Sequence, residues 1–370
     1  MKFDRLIPYD YLPFLPPSID LDNDPEILRK LVGASRALAT VNGNLNRLPN
    51  PLMLINTLSL QEAKASTEIE NIFTTEDELY KAVSDNKEHE ILNPATKEVL
   101  KYREALWAGY TTLLENKEFD QKLIKQIYNQ IKETTEGYRS PQSRVVIKRG
   151  GSDLRPGEVV YTPPRKEKFI DSLMQNLIIF LNDNEKYRSD PLIKMCVAHY
   201  QFEAIHPFTD GNGRTGRILN LLYLVNKGLL SQPILYISKY IILNKEDYYY
   251  NIGLVTQRND WKPWLMYMLE AVEKTSFITN SLINDIIEQM ELTLEYAKKS
   301  IKWYTKEINE VIFSQPYIKP KMIGQTMRKT SRTTLTKYMN ELVERKILRP
   351  KKTGVAVYYL NDDLIRILEG

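Results

Sequence analysis

Residues 206–217 read HPFTDGNGRTGR, a histidine, an acid, an asparagine and two arginines gathered among glycines. LIKMCVAHYQFEAI precedes this stretch and ILNLLYLVNKG follows it, both with apolar residues at helical spacing. A tight polar turn is therefore held between two core helices, and a mainly α fold is expected. Upstream, helical patterns cover about 165–182, then 120–134 behind Asp120, 94–115 behind Asn93-Pro94, and 75–84. Two more run from Pro51 to about Asn71 and from Asp24-Pro25 to near Gly43, the latter an N-cap followed by the proline favoured in a first turn. Downstream, helix resumes at about 213–227, again from Asn244, and from Trp261 to about Ala297 as one or two long helices.

The turn itself offers parts suited to phosphate. A calcium loop fails, because either register through Gly211 or Gly213 puts Phe208 at a ligand position, and a P-loop lacks its Gly-Lys-Ser/Thr ending. Gly211 and Gly213 instead let the backbone approach an anion, and a helix starting near Gly213 aims free N–H groups and its positive end at the same place. Arg214 and Arg217 share one face at that end, where cations are unfavourable without a compensating anion, which argues for polyphosphate. Asp210 is a hard oxygen ligand suited to Mg2+, and Asn212 can donate its amide to a phosphoryl oxygen. His206 is the one group in the loop able to take a proton near neutral pH.

These residues resemble the signature of the Fic (filamentation-induced-by-cAMP) family, His-x-Phe-x-Asp/Glu-Gly-Asn-Gly-Arg-x-x-Arg, at every fixed position. The resemblance implies a Fic-type helical core and transfer of AMP from ATP to a Ser, Thr or Tyr hydroxyl of a target protein, possibly the chain itself. It implies His206 as general base, Phe208 as the anchor that fixes the loop, and Asp210 as the Mg2+ ligand. Asn212 with the Gly211 and Gly213 amides would hold the α-phosphate, and Arg214 and Arg217 the β- and γ-phosphates. His206, Asn212 and Arg214 form the expected catalytic set, with Thr209 counted in the nucleotide site.

STEIEN at 66–71 resembles the family's inhibitory motif, Ser/Thr-x-x-x-Glu-Gly/Asn. Ser66 and Glu70 share a helix face, and Asn71 tolerates the left-handed conformation that ends a helix. In the family this glutamate pairs with the second motif arginine, here Arg217, so that ATP binds unproductively. A carboxylate competing with phosphate for one guanidinium is a physically sound switch.

The helical pattern breaks at SRVVIKRGGSDLRPGEVVYTPPR, residues 143–165, where two β-branched runs flank a glycine-rich loop. This small β-hairpin flap, 145–161, resembles the family's docking edge for an extended target segment. Among Tyr248, Tyr249 and Tyr250, which precede Gln257, family members place a tyrosine and an amide against adenine. Tyr250 and Gln257, two helical turns apart on one face, are favoured over Tyr249. His199 and Cys196, set in an apolar helix, read as core residues, and His89 in KEHE as a solvated one. With one cysteine, no internal disulfide forms and cysteine-held zinc is excluded.

The ends differ from the middle. Residues 1–24 carry Pro8, Pro13, Pro16 and Pro17 among aromatics and read as an extended arm. Residues 316–370 hold 12 Lys+Arg against 5 Asp+Glu within a chain of net charge +4. Two short helices split at about Lys329 to Ser331, then a basic turn and a strand, resemble a winged helix-turn-helix. Its reader helix, about Ser331 to Leu348, would present Arg332, Thr333, Thr334 and Lys337, with Lys351 and Lys352 on the wing near phosphates. DNA and protein both remain candidate partners there, and the family's dimers make a homodimer a further one. The expected division is 1–110, an arm and inhibitory region; 111–300, the catalytic core; and 301–370, the basic module. No apolar run approaches the roughly 18 residues that cross a bilayer and no signal-peptide layout opens the chain, so the cytoplasm is the expected compartment. Two other functions stay open: a phosphodiesterase that removes AMP using Glu70, and an ATP-sensing DNA-binding regulator.

Overall fold

The computed structural model describes residues 3–45, 51–85, 92–149, 157–328 and 331–369, with backbone alone for 51–56. His89, the flap loop 150–156 and the turn residues 329–330 lie outside the described residues. The described elements are α1 (Pro25–Leu45), α2 (Pro51–Ile69), α3 (Glu76–Asp85), α4 (Pro94–Asn116), α5 (Gln121–Lys132), β1 (Ile147–Arg149), β2 (Glu158–Tyr161), α6 (Glu167–Asn182), α7 (Pro191–Ile205) and α8 (Asn212–Asn226). They continue with α9 (Ile237–Leu243), α10 (Lys245–Arg258), α11 (Lys262–Ser300), α12 (Lys306–Phe313), β3 (Tyr317–Ile318), α13 (Pro320–Thr326), α14 (Arg332–Glu344), β4 (Arg349–Thr353), β5 (Ala356–Leu360) and α15 (Asp362–Glu369). The fold is mainly α, as expected.

Local chemistry sets the helix starts. Asp24, Asn93 and Asp190 each accept a hydrogen bond from a first-turn N–H, and each is followed by a proline whose missing N–H costs nothing there. Two short helices, α9 and α12, fall outside the expected pattern, because seven or eight residues give too little periodicity to read. The long pattern after Trp261 is one helix of 39 residues.

Helix α7 is buried on nearly every side, and α8 packs on it while α2, α4 and α5 close around α8. Helix α11 runs along α1 and seals α7 from the opposite side, with the Trp264 indole donating to the Cys196 carbonyl at 2.9 Å. His199 stacks on Trp264 and bonds the Tyr248 hydroxyl at 2.9 Å, and Cys196 is fully buried, so both are core residues. The proline-rich arm, expected to be extended, is folded by turns in which Ile7 N bonds the Asp4 carbonyl at 3.2 Å and Leu12 N the Tyr9 carbonyl at 3.1 Å, and it lies across the flap and the helices beside it. Tyr9 N donates to the Thr162 carbonyl at 3.0 Å, Asn176 brackets Leu15 at 2.7 and 3.1 Å, and Gln201 donates to the Pro13 carbonyl at 2.8 Å.

The tail carries a three-stranded antiparallel sheet in the order β3-β5-β4 with α13 and α14, and RPKK, expected as a basic turn, lies in strand β4. Its α14 ends at Glu344, short of Leu348, where Lys346 turns left-handed at φ 57°. Lys351, expected to be free near phosphates, is instead committed to Asp77 at 2.6 Å, because the wing packs on acidic α3. The Tyr317 hydroxyl donates to Asp77 at 2.6 Å and the Tyr358 hydroxyl to Asp85 at 2.8 Å, tying this module to the helix that follows α2. Among the described residues no helix is long and apolar enough to cross a membrane.

Candidate functional site

The loop between α7 and α8 is built from its backbone. His206 ends α7 in the left-handed region at φ 49°, its N–H still bonded to the Phe202 carbonyl at 2.9 Å. Arg139 grips the turn from outside: its N–H reaches the Pro207 carbonyl at 2.8 Å, and its Nε the His206 carbonyl at 2.7 Å. Phe208 is fully buried and stacks on Tyr128 at 3.8 Å between centroids, so it anchors the loop and does not face a ligand. Gly211 adopts φ 74°, which the turn requires and a side chain resists.

Asn212, expected to donate to a phosphoryl oxygen, is tied into the turn. Its amide spans the turn, accepting from Phe208 N and donating to the Phe208 carbonyl, both at 2.9 Å, and it is buried. A turn this short closes through its own polar groups, so the Asn212 side chain shapes the cradle, leaving the N–H groups of the first turn of α8 to face an anion.

Each charged group of the motif has a counterion on a distant element. Arg217, buried, donates from Nε to Ser66 Oγ at 2.8 Å and from Nη2 to the Ser66 carbonyl at 2.9 Å and Glu70 Oε1 at 2.7 Å. Arg214, also buried, pairs with Glu98 of α4. Asp210 meets Lys132 at 2.6 Å, and Thr209 beside it is exposed, its hydroxyl 3.4 Å from that of Tyr128. Asn71 takes φ 61°, as a helix-ending residue should, and accepts from Lys245 at 3.2 Å. Ser66, Glu70 and the motif are thus one cluster across 147 residues of chain.

The protonation states follow from this packing. Burial works against the Glu70 charge, but the Arg217 guanidinium outweighs it and holds the carboxyl below its ordinary value. For Asp210, burial is likewise outweighed by the Lys132 ammonium. Burial pushes the His206 imidazole down to about 4, with Arg139 adding to the fall, so the ring is neutral at pH 7. Its Nδ1 is sealed and unpaired.

Beside the loop an apolar slot opens between the flap and α10. It is lined by Ile147 and Val160 of the flap, Glu203 of α7, and Tyr249, Ile252 and Gln257 among others. Tyr250, favoured from sequence, is 63% exposed and outside this slot, while Tyr249 lines it with Gln257. Packing decides this and not spacing: Tyr250 is the more nearly in line with Gln257, yet Tyr249, Gly253 and Gln257 are the residues of α10 that line the slot. Sequence reading missed Glu98, Lys132, Arg139 and Glu203. Only Glu203, one turn before His206 on α7, carried a local signal.

Comparison with known proteins agrees with this arrangement. The model described as Fic/DOC family N-terminal matches residues 28–111, and that of the Fic/DOC family matches 117–224. The model described as protein adenylyltransferase SoFic-like, C-terminal domain, matches 289–364. The chain belongs to the Fic/DOC family. Among the relatives of this Fic/DOC protein, the protein adenylyltransferase fic-1 of Caenorhabditis briggsae is 30% identical over 156 residues, 40% of this chain and 28% of that protein. The protein adenylyltransferase Fic of Drosophila mojavensis is 27% identical over 184 residues, 49% of this chain and 35% of that protein. The chain therefore spans about a third of the length of these curated relatives. A Fic family protein from Desulfovibrio desulfuricans G20 superposes with TM-score 0.56 at 22% identity, covering 94% of this chain and 98% of that one. Fic-1 from C. elegans superposes with TM-score 0.52 at 19% identity, covering 69% of this chain and 71% of that one, so the Fic fold is shared.

Proposed function

We propose that this Fic/DOC chain transfers AMP from ATP to a Ser, Thr or Tyr hydroxyl of a protein, itself included, and that Glu70 restrains the transfer in cis. The observation that carries the reading is Arg217, held by Glu70 and Ser66 at the N-terminal end of α8 beside a neutral His206. In the transfer, the target hydroxyl oxygen attacks the α-phosphorus as His206 takes its proton, and the bond to the β-phosphate bridging oxygen breaks to release diphosphate. First-turn N–H groups of α8 stabilise the charge that builds on the α-phosphoryl oxygens. Arg214 and Arg217 would orient the β- and γ-phosphates, which requires Arg217 to leave Glu70. The slot at Tyr249 and Gln257 would take the base.

Asp210 fits Mg2+. No group of three or more metal-ligating side chains occurs among the described residues, and Mg2+ suits a site of one carboxylate completed by phosphate oxygens and water. When bound, the ion would neutralise charge on the diphosphate leaving group. Asp210 can exchange Lys132 for it, since its side chain is two-thirds exposed.

A target segment would add as a strand along the β1–β2 hairpin. The basic module presents Arg332, Thr333 and Lys337, exposed on α14, with Lys352 on the wing, a face suited to phosphate backbone. The test uses α-32P-ATP: label transfer should rise in Glu70→Gly and vanish in His206→Ala, and equal labelling by wild type and both variants would sink the reading. A second reading, removal of AMP by hydrolysis, is favoured by one observation, that Glu70 and His206 lie within electrostatic reach of each other and could orient water together. AMP release from a modified target, lost in Glu70→Gly, identifies it.

A further inference from the structure

Glu203 has no role in the chemistry above, and its setting is unusual. It lies on α7 one turn before His206 and lines the apolar slot together with Tyr249, Ile252 and Gln257. Its Oε1 is sealed from solvent and makes no hydrogen bond. That oxygen rests against α8 where Gly216 has no side chain, since a Cβ there would stand 2.6 Å from it. The carboxyl is within electrostatic reach of Arg217 and Glu70 on one side and of Tyr249 on the other. Glu203 thus stands at the junction between the phosphate cradle and the slot.

Several other polar groups near it are occupied, while Tyr249, with its hydroxyl, and Gln257, with its amide, line the slot on the side of α10. Tyr200 and Thr256 hydroxyls bond each other at 3.0 Å, the Tyr248 hydroxyl bonds His199 at 2.9 Å, and the Tyr161 hydroxyl donates to the Ala204 carbonyl at 2.8 Å. A nucleotide with its phosphates at the start of α8 and its base in the slot has its ribose between the two by covalent order. A carboxylate only accepts, and ribose hydroxyls are the donors that this part of a nucleotide supplies. We propose that Glu203 is the acceptor for the ribose hydroxyls of the bound nucleotide, and that it makes this chain selective for ribonucleotides over deoxyribonucleotides. The proposal rests on the nucleotide-binding reading above. Burial pushes the Glu203 carboxyl up to about 7, Arg217 opposing and Glu70 adding to the rise. Arrival of hydroxyl donors favours the ionised acceptor, while phosphate at Arg217 takes the place of the Glu70 charge.

The test is equilibrium binding, which does not depend on transfer. Calorimetry on the Glu70→Gly/His206→Ala protein would compare ATP, 2′-deoxy-ATP and 3′-deoxy-ATP, then repeat the set with Glu203→Ala and Glu203→Gln added. At least one deoxy analogue should bind roughly 10-fold or more weakly than ATP, the range of a hydrogen bond to a charged group. With Glu203→Ala, ATP should fall to the level of that analogue, the two agreeing within about twofold. Glu203→Gln, which keeps shape and a neutral acceptor, should retain roughly the square root of the original preference and decides the matter if the alanine variant melts out. Equal affinity for all three nucleotides in the parent, or a preference that survives Glu203 substitution unchanged, overturns the proposal. A parent that prefers ATP while Glu70→Gly labels no protein sinks the transfer reading alone, and one that binds no ATP sinks both.

Discussion

Replacing Glu70 by glycine removes one of three acceptors from a buried guanidinium. Arg217 is left with Ser66 Oγ at 2.8 Å and the Ser66 carbonyl at 2.9 Å, both neutral. A hydrogen bond between charged groups contributes about 1.5–3 kcal/mol, and the lower part of that range applies because 35% of the Glu70 side chain still meets solvent. About 1.5–2 kcal/mol shifts the ratio of released to held Arg217 by roughly 10- to 30-fold. The initial rate of α-32P-AMP transfer should rise by that factor in Glu70→Gly, with His206→Ala in the same background abolishing it. Ser66→Ala removes a single bond from the guanidinium to a neutral hydroxyl, about 1.5 kcal/mol, and should raise the rate roughly tenfold. The pH dependence has a definite sign. A carboxyl whose folded pKa is depressed contributes its hold fully above the ordinary carboxylate value and loses it only as pH falls through the lowered one, so the wild type should stay restrained throughout pH 6–8. A Glu70→Gly protein that binds ATP as tightly as the wild type does, and transfers no faster, would refute the argument that this ion pair limits the reaction.

Three further outcomes are expected. In the Glu70→Gly protein, kcat at saturating ATP should be flat between about pH 6 and 8, because a base at about 4 is already unprotonated there; an ordinary imidazole would halve the rate near 6.5. Tyr249→Ala should raise KM for ATP while Tyr250→Ala leaves it within about twofold, measured by steady-state labelling; the reverse order would return the base to the exposed side of α10. Asp77→Ala combined with Asp85→Ala removes the acceptors of Tyr317, Lys351 and Tyr358, and should lower stability by about 2–3 kcal/mol in urea unfolding, at about 1 kcal/mol per bond.

What could be read from sequence was what sequence neighbours decide. Helix starts at Asp24, Asn93 and Asp190 follow from a cap and a proline side by side, and the polar turn at 206–217 follows from its own glycines and flanking apolar runs. The pairing of Glu70 with Arg217 came from a motif resemblance, not from any local signal across 147 residues. Arg139, Lys132 and Glu98 reach the loop from 67, 78 and 116 residues away, on helices and turns whose polar positions look like any solvated surface. The part Asn212 plays in closing its own turn was not legible either, because a side-chain amide suits a turn or a ligand equally well, and the bonds to the Phe208 backbone at 2.9 Å appear only in the fold. Tyr250 lies nearly in line with Gln257 two turns on, but spacing does not say which side of α10 faces the flap, and Tyr249 is the tyrosine that lines the slot with Gln257.

The ion pairs also indicate which carboxylate can act as a switch. Two buried arginines at a helix N-terminus oppose the helix dipole and have left water, so without nucleotide each needs an anion. Glu98 serves Arg214 from within α4, a helix of 23 residues whose neighbouring turns are packed on α5 and α8. Removing it from the site would disturb the core. Glu70 serves Arg217 from just beyond the last turn of α2, beside left-handed Asn71, where the chain already turns away and about a third of the side chain meets solvent. Its withdrawal would cost the closing bonds of that last turn, from the Glu70, Asn71 and Ile72 N–H groups to the Thr67 and Glu68 carbonyls, and the two bonds from Lys245 to the Ile69 carbonyl and Asn71. The two pairs are therefore chemically alike but mechanically unlike: on the proposed reading, phosphate would replace Glu70 at Arg217 by opening one helix end, whereas Glu98 would remain beside Arg214 and steady it.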